Sequence, residues 1–232
     1  GTSAMRAAMD AVSSDPSKSI LVCASDSRLG YPNGEHEISF GDGAAALLIG
    51  NVNIAATIEG SYTLSNELID VWRADKDTFV HSWEDRFIRE EGYFAIISEA
   101  VSAFLKKYNL TPKDLSKFVC YARNSGELRT IARKLGFDLK TQVQDTLYST
   151  VGDTGTPSSL MSLVAALEEA KAGDKILLAN YSDGCDIFLL KVTEEIEKVK
   201  KNKKGIKGHL TPKLMLSDYQ TYLRWRGLVE MQ

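Results

Sequence analysis

Residues 151–192 read VGDTGTPSSLMSLVAALEEAKAGDKILLANYSDGCDIFLLKV, and this stretch decides the fold class. Its Gly-rich beginning, 151–157, predicts a loop that leads into a helix. The buried face of that helix is predicted at Leu160, Leu163, Val164 and Leu167. Two apolar runs, 175–181 and 187–192, predict strands that are separated by the polar turn 182–186. A helix beside a pair of short strands is a unit of layered α/β folds.

The same alternation continues on both sides of this stretch. Upstream, the pattern predicts a helix over 2–12, a polar and Gly-rich loop over 25–41, and strands over 19–24, 41–50 and 54–58. Downstream of a weakly periodic, irregular stretch, it predicts a strand over 118–121 and helices over 94–108 and 128–136. The sequence therefore predicts an α/β layered fold.

Composition excludes several classes of protein. The 232 residues are 44% hydrophobic and 25% charged, which is ordinary for a soluble globular protein. A net charge of −3 argues against nucleic acid as a partner. No apolar run approaches the roughly 20 residues that span a bilayer, and the first residues do not resemble a signal peptide. We therefore expect a cytoplasmic protein with neither nucleic acid nor membrane as a partner.

The three cysteines are Cys23, Cys120 and Cys185, widely separated and without a C-x-x-C pair. This pattern argues against a disulfide framework and against a zinc site, so no metal ligands are predicted. Cys23 and Cys120 lie in apolar runs, where a free cysteine usually serves as a small buried hydrophobic residue.

The first residues predict a helix that packs closely against another helix. Its apolar stripe consists of small or slender side chains, namely Ala4, Met5, Ala8, Met9 and Val12. The chain opens with Gly1, and an N-terminus rarely starts inside a buried helix. We therefore expect an upstream portion that is missing, cleaved or carried by another chain.

Four pieces of the sequence, taken in order, resemble the thiolase superfamily, most closely its hydroxymethylglutaryl-CoA synthase and ketoacyl synthase III branch. The pieces are GTSAMRAAMDAV with ILVCASDSRLG, then FGDGAAALLIG, then VWRADKDTFVHSWEDRFIREEGYF, and last VGDTGTPSSL with LLANYSDGCDIF. Each is weak alone, because Gly-rich loops are common. Their order and spacing are more specific, and the resemblance covers nearly the whole chain.

The resemblance implies a thiolase-like fold with α-β-α-β-α layers, built from two similar halves. In that frame, residues 1–58 are the end of the first half and 59–195 are the complete second half. Residues 196–232 form a lysine-rich linker, 198–207, followed by a C-terminal helix that begins at Thr211-Pro212 and runs through Trp225. That helix is expected to dock on a neighbour or to fold back on its own domain.

The resemblance also implies acyl transfer from an acyl-CoA substrate through a cysteine acyl-enzyme, with no other cofactor. The family's nucleophile falls just upstream of Gly1, so the chain alone is predicted to be inactive. The relatives form dimers, which implies a homo- or hetero-oligomer. The ending YLRWRGLV, residues 222–229, resembles a segment that precedes a zinc-ribbon OB-fold module in some relatives, so such a protein is a possible partner.

The resemblance places Tyr121 at the family's general-base histidine, Asn124 at an asparagine, and Asp153 at a second asparagine. Tyrosine, with an ordinary pKa near 10, is a poor base at neutral pH but a good hydrogen-bond donor. Tyr121 is therefore a candidate site residue or a strand-end aromatic without chemistry. Asp153 either accepts the proton from Tyr121, serves as a base itself, or caps the following helix.

Gly184 matches the turn whose backbone N–H stabilises the thioester oxyanion, although a tight strand-to-strand turn would require the same residue. His81, Trp83 and Arg86 match a segment near the substrate entrance, where they would stack on or pair with CoA; the alternative is a surface or interface position. His36 and His209 suggest no role. Two functions remain open, a part of an acyl-CoA-condensing or thiolytic acyltransferase and a non-catalytic subunit that stabilises an active partner.

Overall fold

The computed structural model describes residues 1–201 and 204–229. Asn202 and Lys203 of the predicted lysine-rich linker lie outside the described residues, and so does the end of the predicted C-terminal segment, 230–232. Within the described part of the chain, no helix is long and apolar enough to cross a membrane.

The helices and strands alternate along the chain, as the sequence predicts. The α-helices are α1 Thr2–Ser14, α2 Glu35–Ser39, α3 Asp85–Phe87, α4 Ala95–Lys107, α5 Ser125–Lys134, α6 Tyr148–Val151, α7 Ser158–Glu169, α8 Ile196–Lys201, α9 Gly205–Leu210 and α10 Tyr219–Trp225. The strands are β1 Ile20–Asp26, β2 Gly43–Ile49, β3 Ala56–Ser65, β4 Val71–Trp72, β5 His81–Ser82, β6 Lys117–Cys120, β7 Lys175–Ser182 and β8 Gly184–Val192. A π-helix, Ile88–Phe94, joins α3 to α4, and a 3₁₀ turn covers Pro112–Asp114.

The central sheet has the strand order β3-β8-β7-β6. Only β6 and β7 are parallel, and the other neighbours are antiparallel. Both faces are buried, because alternate residues of β6 and β7 belong to opposite cores. Phe118, Cys120, Leu177 and Ala179 lie on the side of α4 and α5, and Val119, Ile176 and Leu178 lie on the side of α7 and α1.

Helices α1 and α7 form a layer between two sheets. Met5 of α1 and Leu160 and Leu163 of α7 pack on the central sheet, where they contact the core that contains Phe188. The antiparallel pair β1 and β2 packs on the opposite side of the same helices, mainly through Ala24 and Leu47. The layers therefore run β-α-β-α, and the predicted α/β layered fold is confirmed.

Strand β3 is longer than predicted. It continues to Ser65, beyond the predicted end at 58, so the predicted domain boundary falls inside a strand, and the domain division stays a prediction. The register shifts between Ile58 and Gly60. A Cβ on Gly60 would lie 2.7 Å from the Tyr108 ring, whose hydroxyl bonds to the backbone of Ser61. This irregularity weakens the alternating pattern from which a strand is recognised.

Several other sequence predictions need correction. The predicted irregular stretch contains the end of β3, the β4–β5 pair and α3, and the predicted loop 25–41 contains α2. The last helix begins at Tyr219 and not at the predicted Thr211-Pro212. Its N-cap is Asp218, whose side chain accepts a hydrogen bond from the backbone N–H of Thr221. The described parts of the lysine-rich segment belong largely to α8 and α9.

Cys23 is exposed in the described chain, contrary to the prediction, whereas Cys120 is buried. The reason is the position of its strand. Side chains of β1 alternate between α1 and the outer face, and Cys23 is on the outer face with Leu21, which is 62% exposed. The outer face of β1 and β2 is therefore apolar and uncovered.

We predict that Phe104→Ala lowers the free energy of unfolding by about 3–5 kcal/mol, because Phe104 is fully buried between α4 and the sheet. The matched control is Phe87→Ala, at a side chain that is 49% exposed. Its expected effect is about 0.5 kcal/mol or less. Urea denaturation of both variants measures the difference, and equal losses would contradict the assignment of the core.

Candidate functional site

The structure brings Tyr121 and Asp153 together. Tyr121 follows β6, where its backbone N–H donates to the Ala179 carbonyl at 3.0 Å. Asp153 lies in the loop before α7, 32 residues further along the chain. The Tyr121 hydroxyl donates to Asp153 Oδ2 at 3.2 Å. Two of the residues selected by resemblance therefore share one hydrogen bond.

The loop that carries Asp153 is held by the segment before β2. The Asp153 N–H donates to the Ser39 carbonyl at 2.8 Å, and the Gly41 N–H donates to the Asp153 carbonyl at 3.0 Å. Asp153 does not cap α7, since that helix has no side-chain cap. Its Oδ1 instead accepts the Gly155 N–H at 2.9 Å, which fixes the direction of the carboxylate.

Sequence reasoning missed Arg28, which is the main cation at this carboxylate. Its Nη2 lies 3.1 Å from Asp153 Oδ1 and donates to the Asp153 carbonyl at 2.8 Å. The guanidinium also stacks on Phe40, with its carbon 4.1 Å from the ring centroid. The available signal was the position of Arg28 in ILVCASDSRLG, one of the pieces that carry the resemblance.

Tyr121 is held in its protonated form. Burial and the neighbouring Asp153 carboxylate raise the pKa of Tyr121 well above its ordinary value near 10. Tyr121 is therefore a neutral hydroxyl at physiological pH and acts as a donor. The Asp153 carboxylate accepts from Tyr121, Arg28 and Gly155, so both of its oxygens are engaged by the chain itself.

A cavity of about 280 Å³ opens beside this pair. Four of the predicted site residues line it, namely Tyr121, Asp153, Asn124 and Trp83. Asn124 also caps α5, because its side chain accepts the Glu127 N–H at 2.9 Å. This cap gives Asn124 a structural role in addition to its place at the cavity.

His36 lines the same cavity, which the sequence did not indicate. Its ring stacks on Phe40 at a centroid distance of 4.7 Å, so that Phe40 contacts both this imidazole and the Arg28 guanidinium. His36 Nε2 lies 3.1 Å from Ser82 Oγ. Burial lowers the pKa of His36 below 6.5, which leaves the imidazole neutral at physiological pH. The sequence does not mark His36 as a site residue because its segment, which forms α2, is predicted as a loop.

An ion-pair cluster closes another side of the cavity. Arg123 lies 2.6 Å from Glu127 and 2.8 Å from Asp85, which joins α5 to α3. Burial opposes the charge of Arg123, but the two carboxylates outweigh it and raise the pKa of Arg123 above its ordinary value. This cation is therefore neutralised by its own neighbours.

Gly184 is not among the residues that line the cavity. It begins β8 at φ +127°, and a Cβ there would lie 2.0 Å from the Leu64 carbonyl oxygen of β3. Glycine is thus required by the close approach of two strands and by the positive φ. The predicted oxyanion role of its N–H stays a prediction.

The predicted entrance residues separate into two groups. His81 and Trp83 belong to an aromatic cluster with Trp72, at centroid distances of 6.0 Å and 5.4 Å from it. Trp83 is 60% exposed at the mouth of the cavity, whereas His81 pairs with Asp77 at 3.4 Å. Arg86 is exposed on α3 and does not line the cavity.

None of the three cysteines lines the cavity. Burial raises the pKa of the Cys120 thiol to about 12 and that of Cys185 well above its ordinary value, which disfavours the reactive thiolate. Cys120 lies beneath Tyr121, where the Tyr93 hydroxyl of the π-helix donates to the Tyr121 carbonyl at 2.7 Å. Among residues 1–201 and 204–229, no group of three or more His, Cys, Asp or Glu side chains is placed to hold a metal ion.

Comparison with known proteins shows where this arrangement belongs. The family of 3-oxoacyl-[acyl-carrier-protein] synthase III C-terminal domains matches residues 105–189. A hydroxymethylglutaryl-CoA synthase of Methanopyrus kandleri is 32% identical over 225 residues, which cover 96% of this chain and 63% of that protein. The enzyme of the same name from Methanosphaera stadtmanae is 30% identical over 233 residues, covering 100% of this chain and 67% of the relative. The chain thus spans about two thirds of the length of these relatives.

Solved structures show the same fold at low identity. A hydroxymethylglutaryl synthase of the curacin biosynthetic pathway, in complex with an acetyl donor acyl carrier protein, has a TM-score of 0.82 and 18% identity over 97% of this chain and 60% of its own. A hydroxymethylglutaryl-CoA synthase complexed with CoA has a TM-score of 0.78 and 18% identity over 90% of this chain and 57% of its own. Together with the curated relatives, they lead to one conclusion: the chain belongs to the thiolase superfamily, in the branch of hydroxymethylglutaryl-CoA synthases and 3-oxoacyl-[acyl-carrier-protein] synthases III.

Proposed function

We propose that the chain is part of an acyl-CoA-condensing or thiolytic acyltransferase in which Tyr121, Asp153 and His36 form one wall of the reaction site. The observation that carries this proposal is the cavity that these three side chains share, beside the Tyr121–Asp153 hydrogen bond. The relatives are synthases of the condensing type, and one solved neighbour holds CoA. We extend both properties to this chain as a proposal.

In the proposed reaction, a cysteine that precedes Gly1 in the native polypeptide, or lies on a partner chain, is the nucleophile. Its thiolate attacks the thioester carbonyl of acyl-CoA, the acyl group moves to sulfur, and CoA leaves. The position of Gly1 supports this assignment. A Cβ on Gly1 would lie 3.3 Å from the Thr156 carbonyl oxygen, in the loop that carries Asp153. A segment before Gly1 would therefore start beside the candidate site.

The second step requires a proton acceptor. In condensation, a base removes a proton from the second acyl-CoA, and the resulting carbanion attacks the acyl-enzyme; in thiolysis, the base deprotonates CoA. Tyr121 does not fill this role because its hydroxyl stays neutral, and Asp153 is engaged on both oxygens. We assign proton transfer to His36, whose neutral imidazole lines the cavity, and donation toward substrate oxygen to Tyr121.

CoA recognition is assigned to the aromatic cluster at the mouth of the cavity. Trp83 offers an exposed face for stacking with a planar base, and Trp72 and His81 extend that surface. Arg86, exposed nearby on α3, is retained as a partner for phosphate. Assembly into an oligomer, association with a zinc-ribbon OB-fold protein and a cytoplasmic location stay predictions.

A second function is favoured by the hydrogen bonds of Asp153. The chain's own donors occupy both carboxylate oxygens, and the Tyr121 hydroxyl is directed at Asp153. Such a closed set of contacts also suits a non-catalytic subunit that stabilises an active partner. The two functions differ in whether a covalent acyl-enzyme forms.

We predict that the native full-length protein, incubated with acetyl-CoA, forms an acyl adduct on a cysteine outside the 232 residues and none on Cys23, Cys120 or Cys185. The buried pair is unreactive because burial raises both pKa values. Intact mass followed by peptide mapping locates the adduct. An adduct on one of the three cysteines would contradict the proposed mechanism, and the absence of any adduct would favour the non-catalytic function.

We predict that His36→Asn lowers the turnover of the native enzyme by about 10²–10⁴-fold, the usual contribution of a general base. The matched control, His209→Asn, removes an imidazole from α9 and is expected to leave turnover unchanged. Burial lowers the pKa of His36, so wild-type activity persists below pH 6.5 and is lost as the pH falls through that lowered pKa. Initial rates across pH test both statements; an unchanged acid limb in the His36→Asn variant would remove His36 from the mechanism.

A further inference from the structure

The C-terminal helix α10 folds back onto the segment that supports the candidate site. At its beginning, the Tyr219 hydroxyl contacts both carboxylate oxygens of Glu37, at 3.0 Å and 2.9 Å. Glu37 follows His36 in α2, so this contact holds the short helix that carries the cavity imidazole. The helix thereby reaches the site from outside, through residues that adjoin those lining the cavity.

The end of α10 makes a second connection through Arg226. Its Nη1 forms an ion pair with Asp42, and its Nη2 donates to the Arg28 carbonyl oxygen at 2.9 Å. The side chain of Arg226 is only 22% exposed. One guanidinium therefore binds two points of the segment 28–42, which is the planar, two-pronged contact that arginine makes and lysine does not.

These contacts form a chain of direct interactions that ends at the candidate site. Arg226 holds the backbone of Arg28, the Arg28 guanidinium holds Asp153, and Asp153 accepts the Tyr121 hydroxyl. Arg226 itself is not among the residues that line the cavity. It reaches the Asp153 loop indirectly, through the Arg28 backbone and through Asp42, which follows the Gly41 N–H that donates to the Asp153 carbonyl.

We propose that Arg226 is a positioning residue, which keeps Arg28 against Asp153 and so sets the strength of the Tyr121–Asp153 hydrogen bond. Without Arg226, the Arg28 backbone loses a charged donor and Asp42 loses its cation. The Arg28 side chain, still in contact with Phe40 and the Asp153 carbonyl, then shifts away from the carboxylate, and Asp153 becomes a stronger acceptor for Tyr121. The importance of this arrangement for turnover rests on the proposed function, but the geometry itself does not.

The test is carbon NMR of the native protein labelled at the Cζ of tyrosine, with Tyr121→Phe to assign the Tyr121 resonance. This resonance reports the hydrogen bond of the phenol directly. Arg28→Gln provides the reference displacement for loss of the guanidinium. We expect Arg226→Ala to move the resonance in the same direction and by most of that displacement. Arg224→Ala, an exposed arginine of the same helix, is the matched control and is expected to leave it unchanged.

A merely structural role predicts a lower melting temperature for Arg226→Ala without a displaced Tyr121 resonance, and that result would overturn the proposal. If Arg226→Ala does not fold, Arg226→Lys takes its place. A single ammonium cannot reproduce both contacts, so a smaller displacement in the same direction is expected, and none would again overturn it. An absent acyl adduct together with a displaced resonance would reject the proposed function while supporting the positioning role.

Discussion

Both faces of the central sheet must be covered, and the remaining architecture follows from this constraint. Strands β6 and β7 are apolar on both sides, so α4 and α5 pack on one face while α1 and α7 pack on the other. Tyr121 follows β6, and Asp153 precedes α7, so the same packing that buries the sheet brings the two together.

The elements with regular apolar spacing could be predicted from the sequence, and those shaped by distant contacts could not. Helix α4 and strands β7 and β8 depend on local periodicity, which the sequence displays directly. Strand β3 was predicted too short because its bulge interrupts the alternation near Gly60. The exposure of Cys23 depends on which face of β1 is covered, which is a property of the neighbouring layers rather than of the strand itself.

The candidate site shows the same division. Tyr121, Asn124 and Asp153 are predicted as site residues because the resemblance aligns them with functional positions. All three line the cavity. Arg28 lies 125 residues before Asp153, and no local pattern joins them. The sequence pattern does not predict His36 as a site residue, because α2 is a five-residue helix within a polar stretch. Gly184 is required by a close backbone contact with Leu64. The sequence shows the glycine but not the strand that it contacts.

The π-helix Ile88–Phe94 has a consequence for how this family member tolerates insertions and deletions. A π turn holds one more residue than an α turn, and each residue rotates an α-helix by about 100°. Removal of one residue from this segment would restore regular α-helical bonding, yet it would also turn Tyr93 away from the Tyr121 carbonyl or turn α4 away from the sheet. The length of the segment is thus fixed by two surfaces at once, so that a one-residue deletion would disrupt one of the two contacts while a substitution need not.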